Sequence, residues 1–162
     1  MPFNSMNNDL EIIVCKTVTD FDVAKKLTKD YMEWLGFDLC FQNIDKEFDT
    51  FDKMYNQPEG CFIYAIYKGN IAGGVGIRKL ADGVCEMKRL YVYADFRGLN
   101  IGLKLCEEII TIAKKMRYQK MMLDTIAKLD KAIKLYLFLG FHEIDKYREN
   151  PDETARFMEI VF

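Results

Sequence analysis

Long apolar runs, paired cysteines and a surplus of either charge are all missing from this chain of 162 residues. No stretch has the length and hydrophobicity of a transmembrane helix. The opening Met1-Pro2-Phe3-Asn4-Ser5 lacks the charged and apolar regions of a signal peptide, so the expectation is a cytoplasmic protein without a membrane partner. The five cysteines, Cys15, Cys40, Cys61, Cys85 and Cys106, are odd in number and never form a Cys-x-x-Cys pair. That spacing argues against a disulfide framework and against a zinc site; reduced, packed thiols and no metal are expected. Twenty-three basic residues against twenty-five acidic ones leave a formal charge of -2, too small to attract nucleic acid regardless of its sequence. Repeats, low-complexity tracts and interdomain linkers are absent as well, which leaves one domain over residues 1–162, with residues 1–9 polar and frayed.

What is present is enough for a substantial core, since half of the residues are apolar and 14% are aromatic. Leu10 to Cys15 reads as a strand. Thr19 or Asp20 can cap the following helix, whose apolar residues Phe21, Val23, Ala24, Leu27, Tyr31 and Leu35 keep helical spacing until Gly36. A second helical segment spans about Asn43 to Tyr55, and Pro58-Glu59-Gly60 ends it. Three strands at hairpin spacing follow, Cys61 to Lys68, Ile71 to Leu80 and Val84 to Val92, forming an antiparallel meander. The middle strand carries Gly73-Gly74-Val75-Gly76, read either as a close backbone approach or as weakened packing. A helix from about Leu99 to Met116 and an apolar strand, Lys120 to Thr125, complete a βαβ unit with a parallel strand pair. A helix from Leu129 to Leu139, stopped by Gly140, precedes two last strands, Phe141 to Tyr147 and Arg156 to Val161.

Between the third meander strand and its helix lies Arg97-Gly98-Leu99-Asn100-Ile101-Gly102. A glycine-bearing turn into a helix aims several unpaired N–H groups at one point where the helix dipole favours negative charge, which makes a seat for phosphate. Ordinary turn chemistry is the competing reading. The turn lacks the Gly-Lys-Ser/Thr ending of a nucleotide-hydrolysing P-loop and lacks Gly-x-Gly-x-x-Gly, and a meander precedes the βαβ unit, so neither standard nucleotide fold fits.

The same six residues resemble the Arg/Gln-x-x-Gly-x-Gly/Ala signature of the GNAT acyltransferase superfamily. Leu135-Tyr136-Leu137-Phe138-Leu139-Gly140-Phe141 is similar to its Leu-Tyr-x-x-x-Gly-Phe segment. More narrowly, Cys85 to Val92 with Leu123-Asp124-Thr125 and Asn150-Pro151 is similar to a bacterial subgroup of uncharacterised members. The resemblance implies an α/β fold with a GNAT-like mixed, mostly antiparallel central sheet, a splayed parallel strand pair and flanking helices. It implies acetyl-CoA as co-substrate, with the pyrophosphate on the backbone of Arg97, Gly98, Leu99, Asn100, Ile101, Gly102 and Leu103. The pantetheine arm would enter between Leu90-Tyr91-Val92 and the strand Met121 to Thr125. Two positions depart from the pattern: Asn100 stands where glycine is usual, and Leu129 where many relatives place an asparagine that bonds the cofactor.

Acetyl transfer from sulfur to nitrogen needs a neutral amine, a polarised carbonyl and a proton for the thiolate. The resemblance implies a backbone N–H near Val92 for the carbonyl. Tyr136, on the motif helix, is the candidate general acid, against the alternative of simple packing on an apolar face. Glu86 is read either as the carboxylate that relatives use to activate the amine through water, or as a structural ion pair with Lys88 or with a basic residue on a neighbouring strand. His142, the single histidine, reads as structural, and neither Cys85 nor Cys106 is placed as an acyl carrier. Glu33, Trp34, Phe41 and Gln42 fall in the region that walls the acceptor pocket in the family and are candidates for amine recognition, with core or surface roles still open. The acceptor is a small-molecule amine or a protein amino group, and a homodimer is left open. The competing functions are a non-catalytic acyl-CoA-binding regulatory module and an unrelated nucleotide-binding domain.

Overall fold

A computed structural model of the chain describes residues 9–36 and 44–162. Strand β1 (Leu10–Val14) leads into helix α1 (Val18–Leu35). The helix starts earlier than its apolar spacing suggests, because Thr17 rather than Thr19 or Asp20 is the N-cap. The Thr17 hydroxyl accepts from the Asp20 amide at 3.1 Å, and the Asp20 carboxylate returns a bond to the Thr17 amide at 3.1 Å. This capping box satisfies two N–H groups that the helix cannot. Bonds from the Lys16 and Thr17 amides and the Tyr64 hydroxyl hold the Asp20 pKa down at about 2. Gly36, at φ 81°, ends the helix in a left-handed cap.

The segment expected as one helix is two, α2 (Ile44–Asp49) and α3 (Phe51–Met54), broken at Thr50. The Thr50 hydroxyl bonds back to the Lys46 carbonyl, and the bend lets the Phe51 ring sit 4.5 Å from Tyr55 and 5.6 Å from Phe62. Packing of that ring outweighs continuity of the helix.

Strands β2 (Cys61–Tyr67), β3 (Asn70–Ala81) and β4 (Val84–Val92) form the expected antiparallel meander. After helix α4 (Ile101–Lys115) comes β5 (Lys120–Thr125), parallel to β4. Helix α5 (Asp130–Leu139), β6 (His142–Ile144) and β7 (Arg156–Val161) complete a seven-stranded sheet in the order β1-β2-β3-β4-β5-β7-β6. The fold is thus the mixed α/β one, antiparallel except for the β4–β5 pair. Strand β6 is shorter than the Phe141 to Tyr147 expected. Beyond Ile144 the chain leaves the ladder, Tyr147 packs its ring 5.4 Å from Phe157, and its hydroxyl reaches Glu86.

Alternation along β2 divides the core into two layers. Cys61, Ile63 and Ala65 join the α4 side with Leu105, Cys106 and Ile109, whereas Phe62 and Tyr64 join Phe21, Leu27 and Phe51 on the α1–α3 side. The glycines of β3 answer the close-approach reading. A Cβ on Gly74 would lie 2.9 Å from a Phe62 ring carbon, and one on Gly76 would lie 2.7 Å from both the Phe62 and Tyr55 rings. Among the described residues no helix is long and apolar enough to cross a membrane.

Candidate active site

A bulge in β4 opens the site. Gly74 pairs with Tyr91 and Gly76 with Lys88, so one residue of β3 faces two of β4, and Arg89 takes a left-handed conformation at φ 63°. A non-glycine residue there carries strain of order 1 kcal/mol, and the bulged strand bends. The parallel β4–β5 pairing runs only from Val84, Cys85 and Glu86 to Lys120, Met121 and Met122. Past that point Tyr91 and Val92 keep β3 on one side and β5 keeps β7 on the other, and no strand pairing joins the two edges that face each other. This is the splayed pair.

At the mouth of the splay stands the N-terminus of α4. Lys104 is the first amide bonded back into the helix, to the Asn100 carbonyl, which leaves the amides of Ile101, Gly102 and Leu103 without helical partners. Asn100 is left-handed at φ 60° and makes no side-chain cap, and no acidic residue lies in the first turn. Gly98, at φ 81°, has open space where a Cβ would be. A phosphate-bearing group therefore fits this turn, as donors are free and no side chain already occupies them. Arg97 bonds the Val92 carbonyl at 3.1 Å and lies over the Trp34 ring, 4.9 Å from its centre, while Lys128 approaches the same ring to 5.2 Å. Trp34 also stacks with Tyr31 and packs at a tilt against Tyr91, so this α1 residue sits between the β4 and β5 sides of the mouth. Glu33 is exposed and is not part of this cluster. Phe41 and Gln42 lie outside the described residues.

Tyr136 is buried on α5, its ring 5.7 Å from Phe141. Burial is the main cause of a phenol pKa raised well above 10, with Cys106, Tyr31 and Asp124 adding to it. Such a phenol stays protonated, as a proton donor must. Glu86 is fully buried, and its carboxylate is occupied: Arg78 Nε at 2.9 Å, the Tyr147 hydroxyl at 2.7 Å, and Arg148 Nη1 at 3.0 Å from both oxygens. Burial alone would raise its pKa, but Lys88, Tyr147, Arg148 and Arg78 outweigh that and lower it. A carboxylate so engaged is a weak base, and this geometry favours the ion-pair reading, with more partners than Lys88. His142 is exposed and lies 3.4 Å from Glu159. Cys85 and Cys106 are fully buried, and burial pushes both thiols up to about 12, far from nucleophilic thiolates.

On the α1 side of the splay a cavity of about 320 Å³ is lined by residues from α1, α2, β4, β5 and the loop 148–151. Its charged lining comprises Lys46, Arg78, Lys88, Arg89 and Arg148 with Glu47, Asp124 and Glu149; of these the sequence pointed to Lys88 alone, as a partner of Glu86. The bond of 3.0 Å from Asn150 Nδ2 to Asp124 Oδ2 joins the Leu123-Asp124-Thr125 and Asn150-Pro151 stretches, so their pairing in the sequence was the available signal. Thr125 also lines the cavity, and its buried hydroxyl has no hydrogen-bond partner among the described residues.

A family model described as "Acetyltransferase (GNAT) family" matches residues 25–141. An uncharacterised N-acetyltransferase of Schizosaccharomyces pombe is 36% identical over 155 residues, covering 94% of this chain and 95% of that protein. The N-acetylaspartate synthetase of Homo sapiens is 34% identical over 123 residues, 75% of this chain but 38% of that protein. Among solved structures, an acetyltransferase from Streptococcus agalactiae superposes with a TM-score of 0.77 at 19% identity, covering 96% of this chain and 100% of that one. The PaiA N-acetyltransferase of Thermoplasma acidophilum, in complex with coenzyme A, gives 0.69 at 17% identity, with 94% and 99% covered.

Proposed function

The chain belongs to the GNAT acetyltransferase family, acetyl-CoA-dependent N-acetyltransferases, and from that membership we propose that it acetylates a primary amine by direct attack in a ternary complex. The observation that carries this reading is the early end of the β4–β5 pairing beside the uncapped start of α4. An extended pantetheine arm pairs with the unpaired strand edges as an added strand does, while the pyrophosphate takes the free amides of the turn. The amine nitrogen attacks the thioester carbon, with a backbone N–H near Val92 stabilising the developing oxyanion. The new C–N bond forms, the C–S bond breaks, and Tyr136 gives its phenolic proton to the departing sulfur. The proton shed by nitrogen passes to water, and water restores the phenol, so the balance closes. Glu86 serves as the anchor that holds Arg78 and Arg148 at the cavity rather than as the base. The acceptor printed in the name of the human N-acetylaspartate synthetase, aspartate, enters as one amine to test.

Acetyl-CoA and CoA at 100 times their dissociation constants are expected to add about 2.7 kcal/mol of stability, a melting shift of roughly 5–10 °C, and ATP at equal concentration much less. Equal stabilisation by ATP would mean a nucleotide site without a pantetheine channel. Release of free thiol in an amine screen tests transfer itself. Binding without thiol release from any amine would support the regulatory module instead.

A further inference from the structure

Three cations in and around the acceptor-side cavity share a single carboxylate. Arg78, Lys88 and Arg148 all converge on Glu86, at 2.9, 3.8 and 3.0 Å. Arg89 is cancelled separately, since it grips Glu47 at 2.6 Å. The other acids lining the space do not restore balance. Asp124 is one charge, already accepting from Asn150, and Glu149 pairs outward with Lys146. A protein with a net charge of -2 has therefore gathered a positive surplus inside a cavity of about 320 Å³.

Two of the three cations also have unused donors. Arg148 spends only Nη1 on Glu86, and its other N–H groups make no hydrogen bond among the described residues. Lys88 is 11% exposed, and its nearest anion stands at 3.8 Å, outside hydrogen-bond reach. Burial first and the neighbouring Arg89 second lower its pKa to about 8, against the opposing pull of Glu86 and Asp124. Lys88 is thus largely withheld from water without a hydrogen-bonded anion, while Arg148, 33% exposed, keeps donors that a ligand can reach.

We propose that the acceptor is a small amino acid whose carboxylate binds Arg148 and Lys88 while its amine faces the splay. This rests on the acetyltransfer reading above and narrows its acceptor. Guanidinium and ammonium donors that line one small cavity and approach the same Glu86 carboxylate can take a second carboxylate in geometry and charge. A polyamine or an aminoglycoside would instead bring further positive charge into a cavity where Lys46, Arg78, Lys88 and Arg148 already outnumber Glu86 and Asp124, which disfavours it as an acceptor.

The test compares L-aspartate and L-glutamate with aspartic diamide and putrescine, following free thiol with acetyl-CoA saturating. The amino acids are expected to exceed the neutral and cationic amines in kcat/KM by about tenfold or more. Arg148→Gln is expected to raise their KM roughly 10- to 100-fold, more than it lowers kcat, while Lys146→Gln, on the exposed neighbouring pair, leaves KM unchanged. Putrescine or the diamide performing as well as aspartate would overturn the proposal.

A second readout does not depend on turnover: the thermal shift that succinate gives the CoA-loaded protein, against succinamide. A shift with succinate alone, lost in Arg148→Gln, supports the carboxylate site even if no amine releases thiol, in which case only the acetyltransfer reading fails. No shift with succinate, or equal shifts with both, overturns the site whatever the turnover.

Discussion

Replacing Glu86 by glutamine separates the two roles that a carboxylate at the centre of β4 can have. The side chain is wholly buried, and Arg78, Lys88 and Arg148 depend on it for negative charge. Glutamine keeps the shape and can still accept from Tyr147, but it leaves the three cations facing one another. Breaking a buried ion pair costs about 3–5 kcal/mol. The lower end applies, because the Arg78 and Arg148 side chains are 27% and 33% exposed and water screens them in part. About 3 kcal/mol corresponds to a fall in melting temperature of roughly 6–12 °C for a chain of this size.

The sign of the pH dependence follows from the lowered pKa of Glu86. Its contribution is complete above the ordinary carboxylate value of 4.5 and is lost as pH falls through the lower folded value. Wild-type and variant melting curves, measured by calorimetry from acid to neutral pH, should therefore stay apart above 4.5 and draw together as pH falls below it. The reasoning is refuted if the variant melts with the wild type at neutral pH while its rate loses an acidic limb, for then Glu86 is a titrating base and not an anchor.

Tyr136→Phe should lower kcat roughly 100-fold or more while leaving the CoA-induced melting shift intact. Because the phenol pKa is raised, no basic limb from Tyr136 should appear in the wild-type pH–rate profile up to pH 10, and undiminished turnover in the variant would dismiss it as the acid. Asn100→Gly removes a left-handed non-glycine residue at φ 60° and a side chain beside the turn, so calorimetric titration should show tighter CoA binding; looser binding would mean that the amide contacts the cofactor. Gly76→Ala places a methyl group 2.7 Å from the Phe62 and Tyr55 rings and should cost about 1–3 kcal/mol in urea unfolding, whereas a neutral result would show that the rings yield freely.

Local chemistry explains which parts of the molecule were legible in the amino-acid order. The meander was, because Gly69-Asn70 and Asp82-Gly83 are turn sequences between strands of fixed length. So was the α4 turn, where Gly98 and Asn100 both adopt positive φ. The capping box was missed by two residues, since Thr17, Thr19 and Asp20 are all competent caps and only the bond from the Asp20 amide selects Thr17. The break at Thr50 and the early end of β6 were hidden for a related reason: both follow from rings and hydroxyls finding partners distant in sequence.

The sequence by itself determined the order of elements, the glycine-bearing turn before α4 and the tyrosine of α5, because each is written in residues within a few positions of one another. Tertiary structure alone decided what surrounds Glu86 and where the surplus positive charge resides. Arg78, Glu86 and Arg148 lie on three separate segments, and a pKa or an ion pair depends on distance in space, which strand order and the β4 bulge set and which spacing along the chain does not encode.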